Sequence, residues 1–145
     1  ERGSGKMSRR TELLAELCRQ YEIDILYVFG SRALEVADWL ADKRPALAPG
    51  PADVDVGVKS AKHFTVHDKV RIAIALEDLL SVNRVDMVSL SEADPFLAAN
   101  VIRGERLYSR DTYLADEYDL YILRRAGDLA PLERERMALI LGEGR

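Results

Sequence analysis

The sequence predicts an α+β domain in which helices pack on a small β-sheet, and three observations predict it. Segments of helical period alternate with short β-type runs along a chain of 145 residues. Apolar residues make up 48% of it, enough for one core at a size where roughly two thirds of the unfolded surface becomes buried. No internal repeat and no shift of composition marks a second domain.

Residues 1–7 are expected to be a flexible leader or an appended remnant outside the fold, leaving residues 8–145 as one domain with a helical C-terminal tail. Ser8 is placed to cap a first helix over residues 8–21, with an apolar stripe of Leu13, Leu14, Leu17 and Cys18. A β-type run over residues 23–29 stops at Gly30-Ser31. Ala33, Val36, Ala37, Trp39 and Leu40 then return to helical spacing, so Gly30-Ser31 lies on a strand-to-helix turn. Pro45, Pro49, Gly50 and Pro51 make residues 43–52 a surface loop, because that composition neither continues a helix nor enters a central strand.

Val54, Val56 and Val58 alternate with Asp53, Asp55 and Gly57, the pattern of a strand with one acidic edge. Thr65 and Asp68 read as a capping box opening a long helix with the stripe Val70, Ile74, Leu76, Leu79 and Leu80, ending near Asn83. Residues 85–90 are a third strand, and Pro95 suits the first turn of a shorter helix. A short strand at 106–108, a helical tail over 112–123 and a last polar helix over 131–141 complete the chain.

Composition excludes several functions. With 21 basic against 25 acidic side chains the formal net charge is −4, and the pI is ≈ 5.3. There is no Lys/Arg block, so no direct grip on a nucleic-acid backbone is expected. Apolar runs are too short to span a bilayer. Cys18 is the only cysteine, which leaves no internal disulfide and, without an apolar leader, points to a reducing, cytoplasmic setting. His63 and His67 lack the partners of a zinc site and read as surface residues, and Trp39 reads as core. Tyr113, Tyr118 and Tyr121 suit either a packed helix face or a partner surface. Gly3-Ser4-Gly5-Lys6 has no preceding strand and no Ser or Thr after the lysine, so it reads as a linker rather than a phosphate loop.

The chemistry lies in the carboxylates. Residues two apart on a strand share a face, so Asp53 and Asp55 stand side by side, about 7 Å apart at their Cα atoms. Such a pair repels unless a cation sits between, and hard oxygen donors at this spacing suit Mg²⁺ bound together with substrate phosphates. Asp86, opening a separate strand, is a candidate third carboxylate, and a triad of this kind can hold two ions across an in-line phosphoryl or nucleotidyl transfer. Gly30 allows close backbone approach to a phosphate, Ser31 adds a hydroxyl, Arg32 adds a cation, and the helix beginning there turns its positive end to the anion.

Three segments, Val28-Phe29-Gly30-Ser31-Arg32-Ala33, Ala52-Asp53-Val54-Asp55-Val56-Gly57-Val58 and Arg84-Val85-Asp86-Met87-Val88, resemble the Gly-Ser, Asp-x-Asp and third-Asp motifs of the DNA polymerase beta-like nucleotidyltransferases. The short length resembles the minimal nucleotidyltransferase (MNT) group, and Val101-Ile102-Arg103-Gly104-Glu105-Arg106-Leu107-Tyr108 is similar to what such proteins carry after the third strand. The resemblance covers residues 10–110 and implies a small mixed sheet with the polymerase beta-like core. It departs from the family in one respect: residues 32–52, 21 in all, make an unusually long connection between Gly-Ser and the first Asp.

The resemblance further implies attack by a hydroxyl on the α-phosphorus of a nucleoside triphosphate. Asp53, Asp55 and Asp86 would hold two Mg²⁺ ions, Asp86 would help deprotonate the hydroxyl, and Gly30, Ser31 and Arg32 would hold the β- and γ-phosphates. MNT proteins pair with HEPN-domain ribonuclease toxins, which implies AMP transfer from ATP to a toxin tyrosine, by an antitoxin assembled with its partner. Two rivals are an antitoxin that acts by binding alone and an aminoglycoside-type small-molecule nucleotidyltransferase. The chain is short for the latter, which usually brings an added helical domain.

Overall fold

A computed structural model describes residues 8–50 and 52–141, with side chains described as far as residue 127. The expected leader and Pro51 lie outside the described residues, as do the side chains of the expected last helix. Helices α1 (Arg9–Gln20), α2 (Ala33–Leu40), α3 (Val66–Leu80), α4 (Pro95–Ile102) and α5 (Thr112–Leu141) alternate with strands β1 (Ile25–Phe29), β2 (Val54–Lys59), β3 (Val85–Ser89) and β4 (Glu105–Ser109). A single 3₁₀ turn, Leu90–Glu92, follows β3. The strands form one mixed sheet in the order β3-β2-β1-β4, with β1 antiparallel to β2 and β4, and β3 parallel to β2. This is the α+β architecture read from the sequence.

Strand alternation divides the core into two layers. Leu26, Val28, Val54, Val56 and Val58 pack with Leu14, Cys18, Val36, Trp39, Ile72 and Leu76 from α1, α2 and α3. On the opposite face Ile25 and Tyr27 pack with Ala98, Val101, Ala115 and Ile122 from α4 and α5. The same alternation turns Asp53, Asp55 and Gly57 toward that second face. Gly57 is what lets α4 approach β2, since a Cβ there would stand 2.3 Å from Val101 Cγ1. Tyr27 is fully buried, and its phenol donates to Asp119 of α5, as a buried hydroxyl requires. Arg106 of β4 braces the same carboxylate at 3.3 Å and Asp116 at 2.7 Å, tying α5 to the sheet.

Local signals explain most helix boundaries. Ser8 Oγ accepts the Thr11 N–H at the start of α1. Thr65 and Asp68 exchange the two hydrogen bonds of a capping box, at 3.1 and 2.9 Å. Asp94 caps α4, whose first residue is Pro95. Burial pushes the Cys18 thiol up to about 12, so it is an inert core residue at neutral pH.

Three expectations require correction. α3 buries Ile72, Leu76 and Leu80, whereas Val70 and Ile74 are each half exposed. Leu76 and Leu80 lie on the expected stripe, but its apolar arc is wider than the sheet covers, and the sheet takes the line through Ile72 rather than the one through Val70 and Ile74. β1 begins at Ile25 rather than residue 23, although Ile23 is buried. Residues 112–141 form one helix where two were expected. Gly127 costs a helix interior about 1 kcal/mol relative to alanine, which weakens a helix without ending it. Among the described residues no helix is long and apolar enough to cross a membrane.

Candidate active site

Register brings the three motifs to one end of the sheet. Phe29 lies opposite Asp55 on the antiparallel pair, and Asp55 lies opposite Asp86 on the parallel pair. The Gly30-Ser31 turn therefore abuts the Asp-x-Asp strand, which abuts the third Asp. Gly30 has φ +81°, and a Cβ built on it would stand 2.6 Å from Asp55 Oδ2. Glycine satisfies both demands at once, a left-handed backbone and contact with a carboxylate. Ser31 is exposed at the turn, and Arg32 is the residue that precedes α2.

The carboxylates perturb one another. Burial first, and then the negative charges of Asp86 and Asp53, hold the Asp55 carboxyl above the usual carboxylate range. Arg84 stands beside the other two, with Nε 3.4 Å from Asp86 Oδ1 and 3.7 Å from Asp53 Oδ2. Among the described residues no three acidic, histidine or cysteine side chains form a ready-made cage for an ion. The donor chemistry nevertheless fits Mg²⁺: Asp55 lies opposite Asp86 and feels the charge of both Asp86 and Asp53, all three offer hard oxygen donors, and an exposed arginine reaches two of them. Asp53, Asp55 and Asp86 are the residues that would hold the ion.

Arg32 is placed differently from the expectation. Its side chain is buried, donating from Nε and Nη2 to the Glu35 carboxylate at 3.0 and 2.9 Å. Nη2 also donates to the Ala48 carbonyl at 2.6 Å and Nη1 to the Ala52 carbonyl at 3.1 Å. Four of its five N–H donors are engaged, two on Glu35 of α2 and two on the long connection between α2 and β2. The protein's own acceptors already hold the fork that the expected phosphate role would need free. Glu35 completes the arrangement by accepting the Ala48 N–H and lying 3.8 Å from Arg44. From α1, Arg10 donates to the carbonyls of Trp39, Arg44 and Pro45 and stacks over the Trp39 ring at 4.8 Å.

Sequence reading missed Glu35, Arg10 and Arg84. Two carried a local signal: Glu35 stands three residues beyond Arg32 at a helix start, and Arg84 two residues before Asp86 on one strand face. Arg10 carried none.

The Arg32 guanidinium holds the Glu35 carboxyl down to about 2. A carboxyl lowered by folding stabilises above its unfolded value and ceases to do so as pH falls through its folded value. The thermal stability gap between the wild type and Glu35→Gln should therefore be full at neutral pH and close as pH falls from about 4.5 toward 2. Thermal unfolding of both proteins across that range checks it, and a gap independent of pH would contradict the ion pair.

A further cleft lies elsewhere. It encloses 370 Å³ between Ile25, Lys59, Arg110 and the first turns of α5, where Leu114, Tyr118 and Tyr121 line it. Ile25 is four residues from Phe29, about 13 Å along the strand, so this cleft is separate from the carboxylates. His63 and His67 are exposed, as read from the sequence. Of the α5 tyrosines, Tyr113 and Tyr121 are exposed and Tyr118 is partly buried.

A left-handed glycine turn thus lies against carboxylates on adjacent strands, at one end of a sheet covered on both faces. The chain belongs to the polymerase beta nucleotidyltransferase family: the family model described as "Polymerase beta, Nucleotidyltransferase" matches residues 12–113. Among solved structures, a chain of a toxin–antitoxin crystal structure with AMP-PNP matches at 20% identity and TM-score 0.62, over 90% of this chain and 94% of that one. A chain from a structure of tri-AMPylated Shewanella oneidensis HEPN toxin in complex with MNT antitoxin matches at 19% identity and TM-score 0.60, over 90% and 92%. A chain of the MntA-HepT toxin-antitoxin structure matches at 19% identity and TM-score 0.60, over 90% and 93%. At such identities the likeness shows the fold. No match is found among curated proteins.

Proposed function

We propose that this nucleotidyltransferase transfers AMP from ATP to a tyrosine hydroxyl of a HEPN-domain toxin, with two Mg²⁺ ions, and so acts as the antitoxin of that partner in the cytoplasm. The observation that carries the reading is the three-strand row in which Gly30 touches Asp55 and Asp55 faces Asp86. The structural neighbours support the substrate and the partner, since they include an AMP-PNP complex and a tri-AMPylated HEPN toxin bound to an MNT antitoxin.

Asp53, Asp55 and Asp86 are assigned to the ions. When bound, the ions neutralise the triphosphate and stabilise charge on the attacking and leaving oxygens. Gly30 and Ser31 hold the β- and γ-phosphates at the turn. Asp86 accepts the proton of the attacking hydroxyl as its oxygen bonds to the α-phosphorus and pyrophosphate departs. Arg84 neutralises Asp53 and Asp86 until the substrate complex arrives, and its exposure lets it move aside.

Intact-mass spectrometry of a co-purified partner, incubated with this protein, ATP and Mg²⁺ and compared with a chelator control, tests the reading. The expected result is a metal-dependent mass gain in units of AMP on a partner tyrosine. A stable complex with no mass gain would sink the catalytic account and leave neutralisation by occlusion.

A further inference from the structure

The three carboxylates are not anchored alike. Asp55 and Asp86 sit within the β2–β3 ladder, opposite one another, so backbone pairing fixes them. Asp53 precedes β2, whose first residue Val54 makes the bond to the Arg84 carbonyl at 3.1 Å. What holds Asp53 from its other side is the Ala52 carbonyl, gripped by Arg32. Arg32 directly follows Ser31, so one side chain joins the phosphate turn to the residue before the first metal-binding carboxylate.

The connection between them is long enough to need such a tie. Residues 43–50 have no secondary structure of their own, yet Arg32, Glu35 and Arg10 hold the backbone of Arg44, Pro45, Ala48 and Ala52. Arg32 is buried and Glu35 largely so, and each also satisfies loop backbone, so removing either leaves a poorly solvated charge and orphaned peptide groups. An isolated ion pair at the surface would have no such leverage.

We propose that Arg32 and Glu35 are a positioning pair that clamps residues 43–50 as a fixed border of the transfer site and sets Asp53 relative to the Gly30-Ser31 turn. This rests on the assignment of Asp53 and the turn to metal and phosphate. Neither residue of the pair touches the nucleotide. Its effect reaches the substrate through Ala52 and Asp53, and a long connection that would otherwise loosen the site becomes part of its frame.

Two readouts on the full chain test it, at a temperature where every variant is folded. Trypsin has a cleavable bond at Lys43–Arg44, whereas the next, Arg44–Pro45, is resistant, so the rate of nicking there reports release of the loop. Calorimetric titration with AMP-PNP and Mg²⁺ reports the site without any acceptor. Glu35→Gln and Arg32→Met should both be nicked faster and bind Mg²⁺·AMP-PNP about tenfold more weakly, the lower range for losing a partner that supports a metal ligand. Arg32→Lys keeps a cation and carbonyl donors and should recover part of both losses. The double variant should be no worse than the worse single one, because both act through one clamp.

Unchanged nicking would overturn the clamp. Faster nicking with unchanged affinity would overturn the positioning role and leave a purely structural pair. Failure of the wild type to take up AMP-PNP with Mg²⁺ would instead overturn the functional reading beneath it, while the nicking rates would still decide whether the loop is clamped.

Discussion

Replacing Asp55 by asparagine should abolish nucleotidyl transfer and leave the fold as stable as before, or more so. Losing a partner that merely supports a metal ligand costs about 10–100-fold in affinity or activity, and a lost ligand should cost more. Stability should move the other way, because the charged form of Asp55 is opposed in the folded protein by burial, Asp86 and Asp53. An acid raised by folding subtracts stability at pH values above its folded value, and asparagine removes that penalty while keeping the shape. Mass-spectrometric transfer assays paired with thermal unfolding in chelator separate the two effects. Retained transfer would refute the metal assignment, and a large drop in melting temperature would show that the carboxylate is structural.

Gly30→Val is expected to have the second largest effect, on activity and stability together. A side chain at φ +81° costs about 1–2 kcal/mol of backbone strain. In addition its Cβ would press on Asp55 Oδ2 from 2.6 Å, and the yielding group is either the turn or the carboxylate. Either movement separates phosphate from metal ligand. Gly50→Ala is the matched control, since nothing lies within 4 Å of a Cβ there and its φ is ordinary, so it should behave as wild type. Denaturant unfolding and nucleotide titration of the two variants check this, and a fully active Gly30→Val would contradict the close approach of turn and carboxylate.

What could be read from the sequence was whatever a local period writes down. Alternation at residues 53–58 shows a strand with its acids on one face, and Thr65 with Asp68 shows a helix start, because both depend on neighbours a few residues away. The pairing of Asp55 with Asp86 was not legible, since it depends on which strands become neighbours. Arg32 illustrates the same limit for a side chain. Its motif suggests an anion, but its actual acceptors, Ala48 and Ala52, come from a loop 16 to 20 residues away that no periodicity describes. Val70 and Ile74 failed for a related reason: a helix apolar over a wide arc leaves its phase to be decided by the sheet beneath it.

The parallel pairing of β2 with β3 has one more consequence. Adjacent strands stand about 4.8 Å apart whatever side chains they carry, so the backbone ladder acts as a ruler for the two carboxylates mounted on it. A ruler made of peptide groups is indifferent to most substitution. Core residues, helix faces and connecting loops can drift through generations while the interval between Asp55 and Asp86 is copied unchanged, provided the register holds. A one-residue slip of β3 would turn its aspartate to the opposite face in a single step. Heredity in such a site is guarded less by individual residues than by strand alignment, and insertions or deletions within β2 or β3 are the changes it can least absorb.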